Sequence, residues 1–260
     1  MTSYAGIPIY LVSLKKDIDR RSALSKRFPL YYSSFYHVEA VDGRKLTSKQ
    51  YYEYLIPHWK VKHNIISPSE VGCTLSHIAA LEQFMLTDQL FALIFEDDVI
   101  GNDNDIRRAE EITSFLDQNS LLLCGEQPRY ISKKCQFGVK ISNELYSVLP
   151  FSYSYIFGTF SYIVSRKSAQ AIIEHHNKML DKADSWGSIL KDTSIKMYYS
   201  SMFTHPEDVS FSQIESERTV QHKGFFQKLT SPDAFSIVLR RLKMELMAFF
   251  YRLMRYSKLP

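Results

Sequence analysis

Residues 91–95 are five consecutive apolar residues, and three carboxylates, Glu96, Asp97 and Asp98, follow them at once. An apolar run of this length, rich in aromatic and branched side chains, predicts a strand that is buried on both faces. Ligands of open α/β sheets bind beyond the carboxyl ends of the strands, so these acids stand where a site is expected. Adjacent anions repel one another, and their oxygens suit a hard divalent cation such as Mg²⁺ or Mn²⁺. The alternative is a polar turn that caps the next helix.

The composition is that of a soluble globular protein. Of the 260 residues, 45% are hydrophobic and 23% are charged, which is ordinary for a folded chain. The formal net charge of +4 is too small to indicate a nucleic-acid partner. Three cysteines without metal-site spacing favour reduced thiols, and we find neither a signal-peptide pattern nor an apolar run that could span a bilayer. We therefore expect a cytoplasmic protein.

Strand and helix patterns alternate along the chain. Strands are predicted at residues 7–14, 35–40, 91–95, 121–125 and 158–164. Helices are predicted over residues 105–116 and after three residues that can cap them, namely Asp17, Ser67 and Ser165. Residues 126–155 predict a loop with a short hairpin. This alternation predicts a single α/β domain with a mainly parallel, twisted sheet that is covered on both faces.

Two arginines, Arg20 and Arg21, follow the first predicted strand at the start of a helix. A basic cluster in this position of an α/β unit is a natural binding site for a nucleotide diphosphate. The alternative is that both guanidinium groups simply face solvent.

The helix after Ser67 begins with a clear local signal. Ser67 at the N-cap, Pro68 at the first helical position and Glu70 two residues later form a capping box with the favoured proline. Capping fully explains Glu70. His77 lies near the apolar stripe of this helix, so it is either a catalytic side chain or a hydrogen-bonded core residue.

Two later segments carry further candidates. Asp184 and Trp186 resemble a sugar-binding pair, in which the indole packs on the ring and the carboxylate binds hydroxyl groups. The alternative places Asp184 at a helix N-cap and Trp186 in the core. His222 and Lys223 are adjacent, and together they offer a nitrogen ligand and a phosphate-binding cation.

Residues 235–259 form a distinct apolar and basic tail. Its cations are Arg240, Arg241, Lys243, Arg252, Arg255 and Lys258, and Glu245 is its one acid. This pattern predicts an amphipathic helix that lies in an anionic membrane interface. The alternative is a C-terminal helix that packs on its own domain or on a dimer partner.

Several of these segments together resemble glycosyltransferase family 25, the family of bacterial lipooligosaccharide galactosyltransferases and their relatives. The matching segments are residues 9–14 with Arg20 and Arg21, residues 40–43, 69–77, 94–99 and 158–165. They cover the chain to about residue 215. The central helix followed at this spacing by the Glu-Asp-Asp strand is the most specific part of the match.

The resemblance implies a GT-A type fold with one Rossmann-like domain. We expect this domain to span residues 1–230, and the basic amphipathic helical tail, which lies beyond the match, to span residues 231–260. It implies transfer of a hexose, galactose foremost, from a UDP-sugar to a hydroxyl group of a lipooligosaccharide, with inversion and with Mn²⁺ or Mg²⁺. The metal-binding Asp-x-Asp motif of the family falls on residues 96–98, where Glu96 replaces the first aspartate. We expect such an enzyme to be peripheral, on the inner face of a bacterial inner membrane.

We assign the expected roles residue by residue. The expected metal ligands are Glu96, Asp98 and His222, and the expected donor-binding residues are Arg20, Arg21, Asp97, Trp186 and Lys223. Asp184 is the expected catalytic base and His77 the second candidate. Family members often carry two acids before the tryptophan, where this chain has Asp184 and Ser185. The alternatives are an inactive transferase fold that serves as a membrane-associated binding module, the same enzyme class with UDP-glucose or a UDP-N-acetylhexosamine, and another Mg²⁺-dependent enzyme such as a phosphatase.

Overall fold

The computed structural model of the chain describes residues 6–127, 131–206, 234–254 and 256–260. Its strands are β1 (Ile9–Ser13), β2 (Tyr36–Glu39), β3 (Phe91–Glu96), β4 (Ser120–Gly125), β5 (Phe137–Lys140), β6 (Tyr146–Val148), β7 (Ser161–Ser165), β8 (Lys196–Phe203) and β9 (Ser257–Lys258). Its helices are α1 (Ile18–Arg27), α2 (Ser48–Lys62), α3 (Pro68–Met85), α4 (Asp103–Ile112), α5 (Arg166–Lys178), α6 (Trp186–Ile189) and α7 (Ala234–Leu253). Short 3₁₀ turns connect several of these elements.

The strands described in these ranges form one sheet in the order β2-β1-β3-β7-β4-β8-β6-β5-β9. Strands β1, β2, β3, β4, β5 and β8 run in one direction, and β6, β7 and β9 run in the other. The predicted α/β class with a mainly parallel sheet is confirmed. Strand β7 lies antiparallel between β3 and β4, which the sequence pattern does not predict.

Strand β3 lies in the middle of the core and is buried on both faces, as predicted. Ala92 and Ile94 belong to one apolar cluster, which α3 and α5 cover, whereas Leu93 and Phe95 belong to a second cluster on the side of α1 and α4. All four side chains are fully buried. This packing fixes the end of β3, and therefore the acids that follow it, between the two helical layers.

Helix α3 begins with the predicted capping box. Ser67 Oγ accepts a hydrogen bond from the backbone N–H of Glu70, and the Glu70 carboxylate accepts one from the backbone N–H of Ser67. The turn after β2 packs closely against this helix start, because a Cβ on Gly43 would lie 1.7 Å from the carbonyl oxygen of Pro68. Glycine is therefore required at this contact.

The C-terminal segment packs on the domain through one side. In α7, Met244, Ala248 and Tyr251 contact an apolar cluster around Phe137, and β9 pairs with the edge of β5. The last buried residue of the chain is Leu259, which is 3% exposed. This side of α7 therefore packs on its own domain, which is one of the alternatives stated for the tail. None of the helices in the described ranges is long and apolar enough to cross a bilayer.

Candidate active site at the end of strand β3

The three acids after β3 have different surroundings, and Asp97 is held by the segment after β1. Asp97 accepts hydrogen bonds from Ser13 Oγ at 2.6 Å and from the Arg20 guanidinium at 2.8 Å. Burial raises the pKa of Asp97 above its usual value, although both hydrogen bonds oppose that shift. Asp97 therefore joins the start of α1 to the end of β3, and its contacts are internal.

Arg20 and Arg21 are adjacent but have different contacts. Arg21 donates to Ser13 Oγ at 2.8 Å and to the carbonyl oxygens of Leu14 and Lys15 at 2.5 and 2.9 Å. Arg21 thus fixes the loop between β1 and α1. The Arg20 side chain, in contrast, is 43% exposed beside the acids, so it is the better placed of the two to contact a ligand.

Glu96 is fixed by two neighbours from other elements. The hydroxyl group of Thr159 donates to Glu96 Oε1 at 2.6 Å, and His77 Nε2 lies 3.2 Å from the same oxygen. Burial raises the pKa of Glu96, but the hydrogen bonds from His77 and Thr159 and the charge of His77 together outweigh burial, so this pKa lies below its usual value. The other ring nitrogen, His77 Nδ1, lies 3.0 Å from the hydroxyl group of Tyr162.

Asp98 is the acid whose charge is least balanced. Its Oδ1 atom is buried and has no hydrogen-bond partner among the described residues. Burial, together with the negative charges of Glu96 and Asp97, raises the pKa of Asp98 to about 7. A divalent cation would remove this repulsion, and carboxylate oxygens are the ligands that Mg²⁺ and Mn²⁺ prefer. The residues present therefore fit the divalent metal that the family resemblance implies.

Asp184 and Trp186 lie after α5, and only the aspartate is available to a ligand. Asp184 Oδ2 accepts a hydrogen bond from the backbone N–H of Gly158 at 3.1 Å, and Gly158 has a φ of +90° that favours glycine. The indole of Trp186 is 1% exposed and packs edge-on against Tyr162, with 5.8 Å between ring centroids. This placement corresponds to the core alternative for Trp186. Because a buried indole cannot pack on a sugar, we leave Trp186 out of the donor site proposed below.

The thiol of Cys73 is influenced by the charges of both Asp184 and Glu96. Burial raises the pKa of Cys73 well above its usual value, and the negative charges of Glu96 and Asp184 raise it further. Both carboxylates therefore lie close enough to this thiol to act on it. Cys73 lies on α3 and is a free cysteine, as are Cys124 and Cys135.

A charged network holds the chain segment that carries Asp184 against α2 and α3. Lys62 pairs with Asp181 at 2.9 Å, and Lys182 pairs with Glu70 at 2.8 Å. The hydroxyl group of Thr74 also donates to the backbone carbonyl of Asp181 at 2.9 Å. Glu70 thus has a role beyond the capping that explains it in the sequence.

His205, just after β8, is a polar candidate of the sequence to which no role is assigned there, and it belongs to this part of the structure. The neighbouring residue Thr204 pairs through its backbone with Ile100, just after the acids. The electrostatic effect of His205 lowers the pKa of both Glu96 and Asp98. Its ring packs edge-on against Phe160, with 4.8 Å between centroids. The sequence predicts no strand over residues 196–203, so the end of β8 that carries His205 is known only from the structure. The expected ligands His222 and Lys223 lie outside the described residues.

The chain matches a model of a known protein family over most of its length. The family model described as "Glycosyltransferase family 25 (LPS biosynthesis protein)" matches residues 6–186. A "Glycosyltransferase 25 family member" of Anopheles gambiae is 31% identical over 99 residues, which are 35% of this chain and 16% of that protein. An "Inactive glycosyltransferase 25 family member 3" of Mus musculus is 31% identical over 109 residues, 40% of this chain and 18% of that protein. The matches thus span less than a fifth of these relatives.

Solved structures resemble the chain in fold at low sequence identity. A mannose-1-phosphate geranyltransferase from Thermus thermophilus superposes with a TM-score of 0.42 and 9% identity, over 81% of this chain and 79% of that one. A glycosyltransferase involved in glycosylation of the major capsid of PBCV-1 superposes with a TM-score of 0.40 and 13% identity, over 82% and 99% of the two chains.

Proposed function

The chain belongs to glycosyltransferase family 25, and from this premise we propose that it transfers a hexose, galactose foremost, from a UDP-sugar to a hydroxyl group of a lipooligosaccharide. We further propose that the transfer depends on a divalent cation, Mn²⁺ or Mg²⁺, and inverts the anomeric carbon. UDP-glucose and UDP-N-acetylhexosamines are the alternative donors.

The observation that carries the proposal is the buried, unbalanced charge of Asp98. A buried carboxylate oxygen without a partner among the described residues, next to two further acids, is costly unless a cation balances its charge. Asp98 and Glu96 would hold the divalent ion, and the expected third ligand, His222, lies outside the described residues. When bound, such an ion supplies positive charge to the diphosphate that departs from the sugar.

The side chains around the acids support distinct roles in the transfer. The half-exposed guanidinium of Arg20 donates hydrogen bonds to the donor diphosphate. Asp97 holds this guanidinium, and Arg21 holds the loop that leads into α1. His77 and Thr159 hold Glu96 in its ionised form. Asp184, which the Gly158 N–H orients, takes the proton from the acceptor hydroxyl group.

The exposed side of α7 supports a membrane-bound acceptor. Leu246, Phe249 and Leu253 are 58%, 61% and 68% exposed, on a helix whose one acid, Glu245, is paired with Lys134 at 3.0 Å. An apolar surface on a helix whose sequence carries Arg240, Arg241, Lys243 and Arg252 suits the interface of an anionic bilayer. We propose that the protein lies on the inner face of the bacterial inner membrane, where a lipid-linked acceptor would be within reach.

The test is hydrolysis and transfer with a panel of UDP-sugars, with Mn²⁺ or with a chelator. Wild type is compared with Asp98→Asn and with Glu111→Gln, which removes an exposed acid on α4. We expect turnover of one donor that disappears with chelator and with Asp98→Asn and persists in Glu111→Gln. Activity that survives both the chelator and Asp98→Asn would overturn the metal site.

The same assay separates the proposal from a catalytically inactive binding module. The name of the Mus musculus relative describes that protein as inactive, and an inactive member of the fold would bind UDP without turning over any donor. UDP binding by calorimetry, measured beside the rates, distinguishes the two. The absence of any nucleotide binding would overturn both.

A further inference from the structure

We propose that Cys73, His77 and Glu96 form a second metal site, which binds a transition-metal ion of the Zn²⁺ class rather than Mg²⁺ or Mn²⁺. The three side chains each offer one ligand atom, and these atoms all lie within 4.8 Å of one another. The site adjoins the proposed Asp98 site and shares Glu96 with it.

Local structure brings the three ligands together. Cys73 and His77 are four residues apart on α3, so their side chains lie one above the other on the same face of the helix. Glu96 ends strand β3 and lies against that face, where His77 Nε2 is 3.2 Å from its Oε1 atom. Small movements of these side chains would bring all three ligand atoms into the range of a shared ion.

The surroundings of His77 suit a metal ligand. Its Nδ1 atom lies 3.0 Å from the Tyr162 hydroxyl group, which leaves Nε2 directed at the ligand cluster. Histidines that bind metals usually have such a partner on the other ring nitrogen, because it fixes the tautomer and the ring orientation. Both Tyr162 and His77 are buried, at 1% and 4% exposure, so this orientation is held by packing.

The chemistry of the donor set selects the ion. A thiolate, an imidazole and a carboxylate together suit Zn²⁺, whereas Mg²⁺ and Mn²⁺ prefer oxygen ligands. For a given set of ligands Zn²⁺ also binds more tightly than Mn²⁺. On binding, the Cys73 thiol releases its proton to solvent and the thiolate becomes the ligand.

Occupation of this site has a consequence that rests on the proposed function. An ion at Cys73 and His77 would draw the Glu96 carboxylate away from Asp98, and its positive charge would repel a second cation at Asp98. Zn²⁺ is therefore expected to inhibit the Mn²⁺-dependent transfer.

Cobalt tests the site directly, because Co²⁺ occupies zinc sites and a cobalt–thiolate bond absorbs in the near ultraviolet. The full chain is stripped with a chelator and titrated with Co²⁺, and Zn²⁺ is then added to displace it. We expect one equivalent of the thiolate band in wild type, its loss in Cys73→Ser, and its retention in Cys135→Ala, which removes a buried thiol beside α7. A wild-type titration without the band overturns the proposal, and so does an undiminished band in Cys73→Ser.

A second variant tests the orientation of His77 without removing a ligand. Tyr162→Phe deletes only the hydroxyl group, and loss of such a partner costs about 10–100-fold in metal affinity. We expect Tyr162→Phe to bind Zn²⁺ more weakly by that factor, as measured by the Zn²⁺ concentration that displaces Co²⁺. An unchanged affinity for Zn²⁺ would overturn the role of Tyr162 in the site. The cobalt band does not depend on turnover, so a chain that shows the band but transfers no sugar would refute the proposed function and leave the zinc site standing.

Discussion

Arg20 donates to Asp97 at 2.8 Å and lies 4.0 Å from Asp98 Oδ2. Its guanidinium group therefore contacts Asp97 closely and Asp98 only at the distance limit of an ion pair. Burial lowers the pKa of Arg20, but its hydrogen bond to Asp97 and the charges of both acids outweigh burial and leave this pKa raised. The arginine therefore balances Asp97 and leaves most of the charge of Asp98 for another cation.

Arg20→Lys is expected to weaken donor binding. Lysine keeps the positive charge but lacks the rigid fork of donors with which one guanidinium can bind Asp97 on one side and a diphosphate on the other. Loss of one hydrogen bond to a charged group costs about 1.5–3 kcal/mol, so the KM for the UDP-sugar should rise at least about tenfold with a smaller change in kcat. Steady-state kinetics measure this, with Arg107→Lys on the exposed side of α4 as the control. An unchanged KM would remove Arg20 from the donor site.

Asp184→Asn is expected to slow the chemical step. Asparagine keeps an oxygen that can accept from the Gly158 N–H, but it cannot take a proton from the acceptor. General bases contribute about 10²–10⁴ in rate, so kcat should fall by that factor while UDP binding stays the same. Asp192→Asn is a matched control, because Asp192 is exposed and has a φ of 61° that asparagine tolerates. Equal kcat values in the two variants would show that another residue is the base.

The parts of the fold that the sequence predicts are those with a local cause. The apolar run before Glu96 predicts β3. The short-range chemistry of Ser67 and Ser165 predicts the starts of α3 and α5, where Ser67 forms the expected capping box and Ser165 is the expected N-cap. The hairpin within residues 126–155 is also confirmed as β5 and β6. Each of these features depends on residues that are neighbours in the chain.

The features that the sequence does not predict depend on distant contacts. Helix α2 is an exception, because its start has a local capping box between Thr47 and Gln50; with Pro57 inside it and Trp59 exposed at 55%, no single apolar stripe marks it. Arg20 and Arg21 are equivalent in the sequence, and only the position of Asp97, 77 residues after Arg20, separates their roles. The burial of Trp186 likewise depends on its packing against Tyr162.

Asp181 is expected to make the stability of the fold depend on pH. Burial raises the pKa of Asp181, but its interactions with His175 and Lys62 outweigh burial, so the pKa lies well below its usual value. A carboxylate with a lowered folded pKa stabilises the protein above its unfolded pKa of about 3.9, and this contribution is lost as the pH falls further.

Asp181→Asn therefore has a defined signature in urea unfolding. At neutral pH the free energy of unfolding of the variant should be about 2 kcal/mol lower than that of wild type, which is the size of a hydrogen bond to a charged group. This difference should shrink as the pH falls below about 4. Asp88→Asn, an exposed acid after α3, controls for the change in net charge. A difference that stays constant with pH would mean that the ionised form of Asp181 does not stabilise the fold.

The exposed side of α7 can be tested without disturbing its packed side. Deletion of the tail would also remove Ala248 and Leu259, which are 2% and 3% exposed, so substitution is the cleaner change. The double variant Leu246→Glu with Phe249→Glu replaces two exposed apolar side chains. Transfer of each from water into the membrane interface would contribute about 1.5–3 kcal/mol to the free energy of binding. Binding to vesicles that contain phosphatidylserine should therefore weaken by about 100-fold or more.

The control for this experiment is Leu86→Glu, which places the same charge on a residue that is 89% exposed just after α3. Vesicle sedimentation should show that this variant binds like wild type. Binding of wild type should fall at high salt and on vesicles of phosphatidylcholine alone, because the cations of the tail act within a Debye length of an anionic surface. The membrane assignment would be contradicted if wild-type binding were the same at high salt and on phosphatidylcholine vesicles, or if the double variant bound as well as wild type. A concentration-dependent dimer that the double variant abolishes would instead identify a second copy of the chain as the partner of this face.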